Sequence, residues 1–138
     1  MTAKILLVDD ERDLVDAYVR LFERAGYRCI GAFDAAAAIP LIDTEMPDVV
    51  ITDLYLVGDS GLDVIRHARS KSQLTPIIVM TGHNTPEVTA TAIAAGANVC
   101  LLKPVSIVEL TRVMRDQLAR VGSQGAAAPS ARNSSDSK

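Results

Sequence analysis

Two hydrophobic registers alternate along this chain: short unbroken apolar runs, and longer stretches in which apolar residues recur every third or fourth position. Lys4 to Val8, Tyr27 to Ala32, Asp48 to Thr52, Ile77 to Met80 and Val99 to Leu102 are runs of the first kind. Their length and bounding Gly, Pro and Asp residues predict strands buried on both faces. Leu14, Val15, Tyr18, Leu21, Phe22 and Ala25 have helical spacing, and Gly26 stops that helix. Asp34 is placed to cap a second helix reaching about Thr44, where Pro40 should kink or tighten it. A third helix covers Leu62 to about Ser70, and a fourth runs from about Pro86 to Ala95, closed by Gly96. The last begins at Ser106 as N-cap with Glu109 three residues on, and its apolar face holds Ile107, Leu110, Val113, Met114, Leu118 and Val121.

Five strand–helix alternations with short connections predict an α/β fold: a doubly wound, five-stranded parallel sheet with helices on both faces. The folded domain is expected over residues 1–121. From Gly122 to Lys138 the residues are small, polar and aperiodic, so 122–138 reads as a disordered tail or linker.

The remaining clues are chemical. Asp9 and Asp10 end the first apolar run, and Asp53 follows the third, so all three carboxylates fall at strand carboxyl ends, where open α/β sheets bind ligands. Strand order 2-1-3-4-5 sets the first and third strands side by side and lets the three acids share one ion. Like charges so crowded need a cation, and Mg²⁺ suits them. Helix capping would explain Asp10 alone, not all three acids. Thr81 and Lys103 end the fourth and fifth strands on the same rim. A cation site with an ammonium and a hydroxyl suits a phosphoryl group, and the simplest acceptor is a carboxylate, with Asp53 standing apart from the acidic pair.

In its ILLVDDE, VVITDL with Gly61 eight residues past the aspartate, VMTG and LLKP motifs, the chain resembles the receiver domains of two-component response regulators over residues 3 to about 121. The resemblance implies a flavodoxin-like fold and a phosphoryl group passing to Asp53 from a sensor histidine kinase or phosphotransfer protein. It implies Mg²⁺ held by Asp9 or Asp10, Asp53 and the Tyr55 backbone carbonyl, with Thr81 and Lys103 on the phosphate. A cis peptide before Pro104 is also implied, and the small trans preference of X-Pro bonds permits it. Phosphorylation would then drive a conformational switch controlling an unknown downstream protein or output domain. Tyr55 and His83 lie two residues beyond Asp53 and Thr81, where the family's attacking water passes, and are candidates for setting phosphate lifetime.

Two departures from the family pattern stand out. The aromatic residue usual three positions before the lysine is Cys100, most simply a small buried hydrophobe; the usual Met-Pro after the phosphoacceptor is Leu56 and Val57, while Gly58 and Gly61 keep that loop flexible. A phosphate-independent interaction module on the same fold is the alternative reading, against which the intact acid set argues. A hydrolase using an aspartyl phosphate would need Asp-x-Asp after the first strand and a cap, and this chain has neither, so a phosphoacceptor rather than an enzyme is expected.

Composition excludes further classes. A formal charge of -3 and pI near 5.3 give no general basic surface for nucleic acid or anionic lipid. No apolar stretch approaches roughly 18 residues and aspartates interrupt the amino-terminal run, so no membrane span or signal peptide is expected and the location should be cytoplasmic. Cys29 and Cys100 would lie on strands roughly 19 Å apart, too far for a disulfide. His67 reads as a surface residue. Dimerisation through the last two helices is open, although packing on the sheet accounts for the apolar face of the final helix.

Overall fold

The computed structural model describes residues 2–56 and 59–127. Five strands, β1 (Lys4–Val8), β2 (Arg28–Ala32), β3 (Val49–Thr52), β6 (Ile77–Thr81) and β7 (Val99–Leu102), form one parallel sheet in the order β2-β1-β3-β6-β7. Counting only these long strands, the order is the expected 2-1-3-4-5. Between β3 and β6, Tyr55–Leu56 (β4) and Asp59–Ser60 (β5) pair antiparallel. Sequence patterning missed them because a two-residue run carries no periodicity.

Alternate residues of each central strand feed opposite cores, as a pleated strand requires. Ile5, Leu7, Val49, Ile51, Ile78 and Met80 pack with Val15, Tyr18 and Phe22 of α1 (Arg12–Arg24) and with Leu110 and Met114 of α5 (Ile107–Ala127). Leu6, Val8, Val50, Ile77 and Val79 face the other side, against α2 (Ala35–Glu45), α3 (Gly61–Lys71) and α4 (Pro86–Ala95). The central strands β1, β3 and β6 are almost wholly buried, while β2 and β7 are partly exposed edges.

Helix boundaries follow local chemistry. The Asp34 carboxylate accepts the Ala37 N–H at 2.8 Å, the Thr85 hydroxyl the Val88 N–H at 3.2 Å, and the Ser106 hydroxyl the Glu109 N–H at 3.0 Å. Gly96 closes α4 at φ 128°, where a side chain is disfavoured. α2 is continuous through Pro40. α5 continues through Ala127 rather than ending at Val121, because lengthening an existing helix gains one hydrogen bond per residue without a new nucleation cost. The rest of the expected tail lies outside the described residues. Cys29 and Cys100 are free thiols on opposite sheet edges, and burial pushes the Cys29 thiol up to about 12. No helix among the described residues is long and apolar enough to cross a membrane.

Arg69 fastens the end of the molecule away from the acidic rim. Its guanidinium donates to the Gly96 carbonyl at 2.7 and 3.1 Å, to the Ser72 and Thr75 carbonyls at 3.0 and 2.9 Å, and to Asn98 Oδ1 at 2.9 Å. One planar cation thus joins α3, the α4 C-cap and the entry to β6. Arg69→Ala is expected to lower unfolding free energy by about 2–3 kcal/mol, since hydrogen bonds to a charged group are stronger than neutral ones. Urea denaturation with an unchanged m-value checks this.

Candidate phosphoryl and metal site

The acidic rim is an extension of the sheet rather than a set of loops. Beyond the last paired residues the ladder continues, Asp9 N–H donating to the Ala32 carbonyl at 3.1 Å, Asp53 N–H to the Val8 carbonyl at 3.0 Å and Lys103 N–H to the Thr81 carbonyl at 2.8 Å. Asp9, Asp53, Thr81 and Lys103 are therefore fixed by four neighbouring strands, as the strand order requires. Asp9 and Thr81 are fully buried and Asp53 nearly so.

Carboxylate oxygens of Asp9, Asp10 and Asp53 lie within 4.8 Å of one another. Lys103 Nζ stands among them, 2.7 Å from Asp9 Oδ2, 2.9 Å from Asp53 Oδ2 and 3.3 Å from Glu11 Oε1. Burial opposes the Lys103 charge, but its contacts with Asp9 and Asp53 outweigh that and hold the ammonium above lysine's usual range. Burial pushes the Asp9 carboxyl up despite the Lys103 contact. Asp9 Oδ2 meets the ammonium at ion-pair distance yet has no partner in hydrogen-bonding geometry. Three carboxylates against one ammonium leave the pocket short of positive charge. Hard oxygen donors, an under-satisfied buried oxygen and residual negative charge fit a divalent cation such as Mg²⁺.

The remaining contacts refine the expected roles. Asp9 Oδ1 accepts the Glu11 N–H at 3.0 Å, and the N-cap of α1 is Glu11, so capping by Asp10 does not account for the acids. Asp53 Oδ1 accepts the Tyr55 N–H at 3.1 Å. Thr81 Oγ1 accepts the His83 N–H at 3.3 Å. The Lys103–Pro104 peptide is cis. The Tyr55 ring is exposed and lines a groove of about 270 Å³ with Leu54, Leu62, Glu87, Val88 and Thr91. His83 is exposed. His67 lies elsewhere, its Nε2 2.9 Å from Asp43 Oδ1 on α2, in keeping with a surface role.

Two contributors escaped the sequence reading, and a third plays a different part from the one expected. Glu11 is the third anion on Lys103, although only its position beside the acidic pair marks it. The buried Thr52 hydroxyl donates to the Asp53 carbonyl at 2.9 Å. Gly61 was expected to supply flexibility, and its role is steric instead: a Cβ there would stand 2.0 Å from the Asp53 carbonyl oxygen and 2.8 Å from Leu54 Cα. Its N–H donates to the Leu54 carbonyl at 2.8 Å, so the start of α3 lies directly on the backbone that carries Asp53. Gly58 lies outside the described residues.

A family model described as the response regulator receiver domain matches residues 5–115. Among solved structures, NtrX of Brucella abortus is similar at 29% identity and TM-score 0.83, over 91% of this chain and 29% of that one. A response regulator receiver domain protein of Clostridium thermocellum is 28% identical, with TM-score 0.79 over 86% of this chain and 95% of its own. A response regulator protein of Burkholderia pseudomallei, solved with a phosphorylated aspartic acid, a calcium ion and citrate, is 26% identical, with TM-score 0.79 over 90% of this chain and 73% of that one.

Gly61→Ala is expected to cost about 1–3 kcal/mol, the range for forcing an added methyl into packed structure. Because the clash is with backbone, the variant's amide NMR shifts should change most at Asp53 and Leu54. A stability equal to wild type would show that the contact relaxes freely.

Proposed function

This chain belongs to the response regulator receiver domain family, and from that premise we propose that Asp53 accepts a phosphoryl group from the phosphohistidine of a sensor histidine kinase or phosphotransfer protein. The observation that carries this reading is the Lys103 ammonium held between Asp9 and Asp53, beside Asp10, at adjoining strand ends. An Asp53 carboxylate oxygen attacks phosphorus, the P–O bond forms as the P–N bond breaks, and the departing imidazole takes up a proton. The aspartyl phosphate of the Burkholderia relative supports the same chemistry here.

Asp9, Asp10, Asp53 and the Tyr55 carbonyl would hold Mg²⁺, which when bound neutralises charge on the phosphoryl oxygens. Lys103 supplies a point charge to one phosphoryl oxygen, and Thr81 donates its hydroxyl to another. Those two charge-assisted hydrogen bonds contribute roughly 3 to 6 kcal/mol together, against about 5.5 for an almost complete two-state switch. The change in Thr81 and Lys103 partners thus biases the conformation toward one that a downstream protein or output domain recognises, with partner contacts completing the shift. The domain is a phosphoacceptor that takes part in its own phosphorylation and dephosphorylation, not a turnover enzyme. It works in the cytoplasm, where kinase phosphohistidines are presented, and with no general basic surface it does not itself bind nucleic acid.

Intact mass after incubation with Mg²⁺ and acetyl phosphate tests the reading. One phosphoryl group should be gained, dependent on Mg²⁺ and lost in Asp53→Asn; no gain under conditions that modify another receiver domain would overturn it. Tyr55 is a bulky exposed side chain two residues beyond Asp53, and its role in this reading is to hinder an attacking water. Tyr55→Ala is accordingly expected to shorten the phosphoprotein's half-life, followed by mass after donor removal, and an unchanged half-life removes that role.

A further inference from the structure

Cys100 is on the edge strand β7, half-buried and packed against the core, and it also meets a polar side chain. Asn84, in the segment joining β6 to α4, donates from Nδ2 to the Cys100 carbonyl at 3.4 Å and accepts the Cys100 thiol at Oδ1 at 3.5 Å. The same Oδ1 accepts the Thr89 hydroxyl from the first turns of α4. One amide therefore fastens the segment to both β7 and α4. Three residues upstream of Asn84, at the end of β6, stands Thr81, whose hydroxyl oxygen accepts the His83 N–H at a long 3.3 Å. Gly82 between them is exposed, and a Cβ there would touch nothing within 4 Å. Of α4 only Ala92 is fully buried, with Val88 and Ala95 partly buried against the core. Residues 82–84 are thus tied at one end to the site hydroxyl and at the other to a polar clasp, with little apolar packing to oppose movement.

Resting on the receiver reading, we propose that Asn84 is a positioning residue that restrains the β6–α4 segment in the unphosphorylated arrangement, its clasp on Cys100 and Thr89 opposing the approach of Thr81 to the phosphoryl group. When Thr81 turns to donate to a phosphoryl oxygen, its hold on the His83 N–H changes and the segment is drawn toward Asp53. The Asn84 contacts then stretch or break, carrying the start of α4 and the adjoining face of β7 with them. By linkage, interactions made in only one of two states set the affinity of any ligand that prefers the other. Removing the clasp should therefore favour the phosphoryl-bound state.

The test is a titration of the full chain with beryllofluoride, the tetrahedral mimic of an aspartyl phosphate, in Mg²⁺, followed by amide NMR. Asn84→Ala should bind about twofold to tenfold more tightly than wild type, the range for losing a neutral hydrogen bond from the weaker-binding state. Its free-state shifts at β7 and α4 should already lie partway along the line joining free and bound wild type. Thr89→Val, nearly the same shape without the hydroxyl, should move both readouts the same way, which guards against a misfolded Asn84→Ala. Thr91→Val, which loses only a bond to Glu87 within α4, should leave both unchanged. Equal or weaker binding by folded Asn84→Ala and Thr89→Val would overturn the inference while leaving the receiver reading intact. If wild type fails to bind beryllofluoride at all, both fall.

Discussion

Buried carboxylates gathered at one edge of a sheet repel one another unless something positive stands among them, and here that is Lys103, 2.7 Å from Asp9 and 2.9 Å from Asp53. The arrangement is rigid because each participant continues the hydrogen-bond ladder past its own strand, Asp9 after β1 bonded to the end of β2, Asp53 after β3 bonded to β1, and Lys103 after β7 bonded to β6. A single ammonium eases the repulsion of three carboxylates without balancing it. A site built this way is held near its working geometry before any ligand arrives, and only side-chain partners need exchange.

The rest of the molecule makes that concentration of charge tolerable. Two apolar layers, one under α1 and α5 and one under α2, α3 and α4, bury the central strands almost completely. Arg69 fastens α3, α4 and the entry to β6 at the far end. Stability is thus drawn from the cores and the distal end, and the strand carboxyl ends can carry an unfavourable cluster. Gly61 links the two regions, since the seat of α3 on the core is also its contact with the Asp53 carbonyl.

Around this fixed frame the β6–α4 segment is held chiefly by side-chain hydrogen bonds. These bonds converge on Asn84, and in the helix that follows only Ala92 is fully buried, with Val88 and Ala95 partly so. Polar contacts exchange partners at small net cost, whereas apolar packing must be broken outright. Cys100 in place of an aromatic residue is compatible with coupling through hydrogen bonds at this point.

The five long strands, their helices and the rim residues were legible in the sequence because each rests on local rules: apolar runs of strand length, Asp34, Pro86 or Ser106 at helix starts, glycine at helix ends. Strand order was legible for a different reason, since only one common arrangement brings Asp9, Asp10 and Asp53 together. The short β4–β5 pairing and the extension of α5 to Ala127 were not, because two residues show no period and helix elongation has no fixed stop signal. What only the tertiary structure decided are contacts between segments far apart in the chain: Lys103 shared by Asp9, Asp53 and Glu11, the steric demand at Gly61, and the Asn84 clasp on Cys100. Sequence fixes which groups reach the rim; their distances arise from the packing of both cores, which no local pattern records.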